Sequence, residues 1–543
     1  MPTIVQFAAV SHAKRKLPMK TLRHLFLLFM LLVLAGCAGQ EARQATLFYT
    51  TDTHGRLAAD AESIGMDRIA ALKKQTPTSL LVDAGDFLQG NPTVNLSQGK
   101  DAVRLMKMAG YYAATLGNHE FDFGQEALQA RIAEAAAGPE PLYILSANVL
   151  RADGRPFVRP SVIATVNGLK IGFFGLTTEE TATQTHPRNI HGLVFADVLS
   201  TAARMAAQLR AEGCDVVVAL THVGTAGVSG ITSRNIAARV PGIDVVIDGH
   251  SHVELHETMA NGTLLVSSGA HAKAVGKLLL AGGPSGAMLK KSAALLHKKD
   301  MEAITPDPAL TAALAQIKAE QAVLLERVVG MTPVNLDGER TQVRTRETNF
   351  GNLCADALRH MTGADIAIVN GGSIRRSIAQ GEITKGDIIA AIPFADAVVT
   401  KEITGAELIE ILEHGLRGLP AENGGFPQLS GLRLRLDPTR PAGQRVVSVT
   451  LDDGKPIDAQ GRYTLAMPDF LAAGGDGYAA LAKPPVIKQY LPPDTALELY
   501  LKDFGAKAFD HIAPGRVIIP QQRTISIFPA RLCPPDRPAH AAM

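Results

Sequence analysis

SLLVDAGDF, Ser79–Phe87, is an apolar, β-favouring run that stops on a carboxylate at Asp86. Working outward, LFYTTDTHG ends on Asp52 and His54, DVVVALTHVG on His222, and DVVIDGHSH on His250 and His252. A fifth segment, GNHEFD at Gly117–Asp122, adds Asn118, His119 and Asp122. Strands that end in such residues set them side by side at one edge of a sheet, where open α/β folds hold their ligands. Imidazole and carboxylate without thiolate suit zinc, manganese, iron or cobalt, and do not choose among them. A carboxylate such as Asp86 can bridge two cations roughly 3.5–4 Å apart. Such a pair supplies an activated water near neutral pH and clamps the attacking and leaving oxygens of an in-line displacement. One Asp-x-His often does no more than cap a turn; five such segments in register after strands describe a two-metal hydrolytic site.

DTH, GDF, GNHEFD, THVG and GHSH, in this order, resemble the calcineurin-like metallophosphoesterases, specifically the bacterial periplasmic 5′-nucleotidase and UDP-sugar hydrolase family. The resemblance covers nearly the whole mature chain. It implies an α/β protein of two domains: an N-terminal four-layer α/β/β/α sandwich and a C-terminal α/β nucleotide-binding domain, joined by a helix. It also implies that Asp52, His54 and Asp86 hold one metal, and that Asp86, Asn118, His222 and His250 hold the other. His252 stands where the bacterial nucleotidases usually carry Gln, and would complete the first site. His119, oriented by Asp122, would not be a ligand; it would stabilise the transition state and help protonate the leaving oxygen.

The chain has 543 residues, of which 46% are hydrophobic and 20% charged, enough for two or three domains with sizeable cores. From 45 to 300, strand-like runs alternate with Ala-rich helical stretches, which reads as a layered α/β domain. DPALTAALAQIKAEQAVLLERVV has apolar residues at helical spacing and no internal Gly or Pro, so 301–329 is expected to be a linking helix. A second domain is expected over 330–520, with strands at ADIAIVN, AVVTKEI, LRLRL and VVSVTL, and a loosely ordered tail over 521–543. No repeat of defined period and no GxxxxGK[ST] is present, which argues against a P-loop ATPase.

In the second domain the informative residues are Arg340, Arg344, Asn370 and Arg375 (in NGGSIR), Phe394, and Phe470 and Asp476 (in DFLAAGGDGY). Guanidinium groups fork onto phosphate oxygens. Two aromatics after turns could sandwich a flat base, at about 1–3 kcal/mol per stacked base. Each of these is weak alone; the resemblance implies Phe394 and Phe470 on the base, Asp476 on the ribose, and Arg340, Arg344 and Arg375 on the nucleotide, with Asn370 nearby. Asp396 stands where relatives often carry Asn. His186, His191 and His271 match no ligand position and read as loop histidines.

The start of the chain reads as an export signal. Lys14, Arg15, Lys16, Lys20 and Arg23 precede an apolar run, Leu25–Leu34, that ends in LAGC. The run is too short to span a bilayer. Residues 1–36 therefore resemble a bacterial lipoprotein signal, with Cys37 the lipidated mature N-terminus and Met19 a more typical start than Met1. Ala38 after the cysteine favours the outer membrane, so the expected location is the cell envelope, lipid-anchored on the periplasmic side of that membrane. The segment carries five basic and no acidic residues, and without it the formal charge passes from +2 to −3. No basic tract is left for polymeric nucleic acid. Cys214, Cys354 and Cys533 allow at most one disulfide, and the first two read as buried thiols.

The expectation is a lipid-anchored hydrolase of nucleoside 5′-monophosphates using two divalent ions, with 2′,3′-cyclic nucleotides and UDP-sugars as further substrates. The alternatives are the similar thiosulfohydrolase of bacterial sulfur oxidation and a lipoprotein that binds nucleotides without turnover. Protein partners, base preference and oligomeric state are not legible.

Overall fold

The computed structural model describes residues 43–225, 230–282, 290–394 and 396–519. The signal expected over 1–36, Cys37 and the tail over 521–543 lie outside the described residues.

Two six-stranded sheets form the centre of the first domain. In one, the strand order is Lys290–His297, Ala274–Gly282, Arg43–Thr50, Ser79–Asp83, Tyr111–Thr115 and Tyr143–Leu145. In the other it is Glu254–Thr258, Leu264–Ser268, Val245–Asp248, Val216–His222, Leu169–Thr177 and Ser161–Val166. The inner faces meet through Leu47, Tyr49 and Val82 from the first sheet and Ile171, Phe173, Val218 and Ile247 from the second. Helices Met66–Gln75, Lys100–Ala109 and Gly124–Ala136 cover the outer face of the first sheet through Ile69, Leu105, Met106 and Leu128. Val198–Ala211 and Ser233–Arg239 cover the second through Met205, Leu209 and Ile236. The result is the α/β/β/α sandwich, each layer burying the apolar face of its neighbour.

Register decides where the ligands emerge. Arg43–Thr50 and Ser79–Asp83 run parallel with Thr50 opposite Asp83, so Asp52 and Asp86 leave adjacent strands at the same edge. Val216–His222 and Val245–Asp248 run parallel with Thr221 opposite Asp248, which brings His222 and His250 out side by side. These strands are buried on both faces, which is why they read as unbroken apolar runs.

Helix Pro308–Leu325 begins with Pro at its first turn and with Asp307 accepting from the N–H groups of Ala309 and Leu310. It buries Leu310, Ala313 and Ile317 against the first domain. The chain then enters a five-stranded sheet ordered Pro427–Ser430, Ile366–Asn370, Arg462–Pro468, Val398–Thr404 and Val486–Gln489. Ile366–Asn370 and Arg462–Pro468 are parallel neighbours, so Asn370 and the Asp469–Ala472 turn carrying Phe470 leave the sheet on the same side. Cys214 and Cys354 are buried free thiols. Among the described residues, no helix is long and apolar enough to cross a membrane.

Candidate two-metal site

The five motif segments close on one point. Asp52, His54 and His252 form one group of converging ligand atoms, and Asp52, Asp86 and His222 a second, each within 4.8 Å. Asp86 Oδ2 lies between the groups, 3.7 Å from His54 Nε2 and 3.1 Å from His222 Nε2. His54 Nε2 and His252 Nε2 are 3.1 Å apart, and His250 Nδ1 faces Asn118 Oδ1 at 3.0 Å. The tautomers are set from behind: His222 Nδ1 meets the Ala84 carbonyl at 2.8 Å, and His54 Nδ1 meets that of Gln89 at 3.3 Å. Each of these two rings thus donates backward and offers Nε2 to the site.

These residues fit divalent cations. Asp52 Oδ2 is buried with no hydrogen-bond partner, an expensive state unless a ligand takes its lone pairs. Burial keeps His54, His250 and His252 well below the usual imidazole range, so they stand as neutral rings. His222 differs: burial opposes its charge, but Asp86 and Asp52 prevail and raise it to about 10. A cation binding there must displace that proton.

Ten described non-glycine residues have left-handed backbone, and seven belong to this centre: Asp52, His54, Asp86, His250, His252, His271 and Ala272. Strain concentrated in this way marks a site whose surroundings over-determine its geometry. The glycines of the motifs serve close approach. A Cβ on Gly117 would fall 2.2 Å from Asp86 Oδ1, and one on Gly249 would fall 2.9 Å from Asp52 Oδ2.

Glu120, to which sequence reasoning gave no role, ties two ligand loops together. Its carboxylate accepts from the N–H groups of Asp86 at 2.8 Å, Phe87 at 2.8 Å, Leu88 at 3.1 Å and Gly117 at 2.6 Å. Its signal was its place inside GNHEFD. Glu120→Gln would turn an amide N–H₂ onto N–H donors. It should destabilise the metal-free protein by about 2–3 kcal/mol in urea unfolding.

His119 stands over the cluster. Its Nδ1 meets Asp122 Oδ2 at 2.7 Å, and its backbone N–H donates to Asp86 Oδ1 at 3.0 Å. From the second domain, Arg375 Nη2 lies 3.5 Å from His119 Nε2, and the Phe394 ring is centred 5.7 Å from the His119 ring. The Arg375 guanidinium also sits 5.8 Å over Phe394.

The other second-domain residues lie further back. Asn370 Nδ2 donates to Asp476 Oδ2 at 2.8 Å, while His414 and Arg417 hold the Asp476 carbonyl. Arg344 is next to this pair, its charge opposed by burial and drawn by Asp476, and its Nε has no partner. Arg340 pairs with Glu422 at 2.9 Å. Phe470 is only 9% exposed and packs in the domain core, whereas Phe394 is half-buried. The side chains of two of the three histidines read as loop residues have partners. His186 lies 3.5 Å from Asp469, which Arg188 also contacts at 2.8 Å, clasping the two domains. His271 packs its ring against His54 and His252. Only the tertiary fold could reveal either contact, because no motif surrounds these residues.

Residues 45–254 match the calcineurin-like phosphoesterase family and residues 328–483 the 5′-nucleotidase C-terminal domain, so the chain belongs to this two-domain family of hydrolases. It is similar to the trifunctional nucleotide phosphoesterase protein YfkN of Bacillus subtilis, 31% identical over 480 residues. That match takes in 81% of this chain, which spans 32% of the relative's length. The 5′-nucleotidase of Vibrio cholerae is 28% identical over 536 residues, covering 86% of this chain and 95% of that one. The crystal structure of a 5′-nucleotidase precursor from Thermus thermophilus superposes with a TM-score of 0.76 at 28% identity, over 88% of this chain and 100% of that one.

Proposed function

We propose that the chain hydrolyses nucleoside 5′-monophosphates to nucleoside and phosphate, with two divalent cations held by Asp52, His54, Asp86, Asn118, His222, His250 and His252. The observation that carries this reading is the approach of Arg375 and Phe394, from one domain, to His119 over the ligand cluster of the other. A guanidinium has only donors, so Arg375, 3.5 Å from His119 Nε2, suits an anionic oxygen placed beside the ring. The phosphate belongs there, with the base on Phe394 and Phe470 and the ribose toward Asp476 and Asn370. Bound by these residues, the cations would activate a water and neutralise phosphate charge. Asp122 accepts from His119 Nδ1, which turns Nε2 toward the place where the leaving ribose oxygen takes up its proton. Arg375 holds the phosphate, with Arg344 and Arg340 adding positive charge on the nucleotide side.

A 2′,3′-cyclic nucleotide or a UDP-sugar presents a similar phosphorus to the same groups. Phosphate release from AMP and UMP, from 2′,3′-cyclic AMP and UDP-glucose with an added phosphomonoesterase, and p-nitrophenol release from bis-p-nitrophenyl phosphate, each with Mn²⁺ and with EDTA, test the reading. Metal-dependent turnover fastest on a monophosphate supports it; turnover of the artificial diester alone refutes the nucleotide site. Phe394→Ala should remove about 1–3 kcal/mol of stacking, raising KM for AMP roughly 5- to 150-fold with little change in kcat. An unchanged KM would sink the stacking role.

Export and anchoring through Cys37 belong to the same proposal. Cys37→Ser should move the protein from the membrane to the soluble fraction of the envelope, and loss of metabolic palmitate labelling would accompany the shift.

A further inference from the structure

Behind the His54–His252 pair lies the turn 269–272. Two consecutive residues in it, His271 and Ala272, hold left-handed backbone at φ 61° and 52°, though neither is glycine. The turn is bound at four points, the first being Thr51 Oγ1, which donates to the Gly269 carbonyl at 2.6 Å. The His271 N–H donates to the Asp52 carbonyl at 2.8 Å, Ser63 Oγ donates to the His271 carbonyl at 2.9 Å, and the Ile64 N–H donates to the Ala272 carbonyl at 2.9 Å. One of these bonds therefore reaches the backbone of a ligand residue.

The His271 side chain packs on both ligand rings. Its ring is centred 5.5 Å from that of His54, tilted by 45°, and 5.4 Å from that of His252, nearly perpendicular at 85°. His54 and His252 are themselves 4.9 Å apart, so three imidazoles touch mutually. His271 belongs to neither group of converging ligand atoms. Its Nδ1 is buried with no hydrogen-bond partner. A buried ring nitrogen left unpaired, on left-handed backbone that few side chains adopt, is a poor choice for packing alone. A ligand imidazole can swing about its side-chain torsions, and the orientation in which it meets a metal is set by what lies behind it.

We propose that His271 is a positioning residue for the first cation: its ring holds His54 and His252 so that their Nε2 atoms, 3.1 Å apart, converge on one ion. The role rests on the two-cation reading above, and it separates the two ions, because His271 packs on His54 and His252 and not on the Asp86–His222 side.

Titration of EDTA-stripped protein with Co²⁺, followed by its visible absorption and by equilibrium dialysis, tests this without reference to turnover. His271→Asn and His271→Gly both suit left-handed backbone and remove the ring. In each, one of the two Co²⁺ ions should bind about 10–100-fold more weakly, with an altered spectrum, while the other keeps its wild-type affinity. Two ions bound with wild-type affinity and spectrum in both variants would overturn the proposal, as would equal weakening of both ions or loss of the fold. Wild-type protein taking up fewer than two ions would overturn the two-cation reading and this proposal with it.

Discussion

Asp86→Asn should cost the enzyme at least one of its two cations and lower phosphate release from AMP by about 10³-fold or more. Asp86 reaches both halves of the centre, with Oδ2 between His54 and His222 and Oδ1 accepting from the His119 N–H. Burial alone would raise its pKa, but the surrounding imidazoles of His222, His119 and His54 hold it well below the usual range, so it stays a carboxylate. An amide of the same shape keeps the space and one acceptor but loses the charge that offsets two dications. Elemental analysis of the purified variant gives the metal count directly. EDTA-treated wild-type protein should be inactive and recover with Mn²⁺, Co²⁺ or Zn²⁺, whereas the stripped variant should not recover at the same concentrations. Two retained ions with activity within about tenfold of wild type would refute the bridging role.

The second large effect is expected at His119. His119→Ala should lower kcat by about 10²–10⁴-fold, the usual worth of a positioned proton donor, with both cations retained. The metal count separates this variant from Asp86→Asn, since His119 faces the cluster through Nε2 but is bound to Asp122, not to a ligand group. A leaving group that needs no proton provides the sharper control. On p-nitrophenyl phosphate the variant should lose much less rate than on AMP, because p-nitrophenolate departs unprotonated. Loss of both metals, or an equal loss on both substrates, would refute the assigned role.

Much of this was legible because metal-binding residues here follow strands directly. DAGDF, THVG and GHSH each extend an apolar run, so the period and the terminus could be read together, and the parallel register did the rest. The sandwich was legible for the same reason, since strands buried on both faces have no alternating pattern to confuse with an amphipathic element. The second domain was less transparent. Phe394 and Phe470 look alike in sequence, yet Phe394 lies half-buried beside His119 while Phe470 keeps only 9% of its surface exposed. Arg340 and Arg375 are equally plausible phosphate ligands on paper. In the fold one pairs with Glu422 and the other reaches His119.

What the sequence alone determined is therefore the chemistry of the centre: the ligand types, their attachment to strand ends, and the two-domain α/β plan. The tertiary structure decided which distant side chains complete that centre. Glu120 joins the Asp86 and Gly117 loops, His271 backs the His54–His252 pair, and Arg188 clasps Asp469 across the domains. The physical reason is one of range. A ligand at a strand end is placed by local backbone geometry, whose period is written in neighbouring residues. A supporting contact joins segments far apart in the chain, and nothing in its own neighbourhood records the partner.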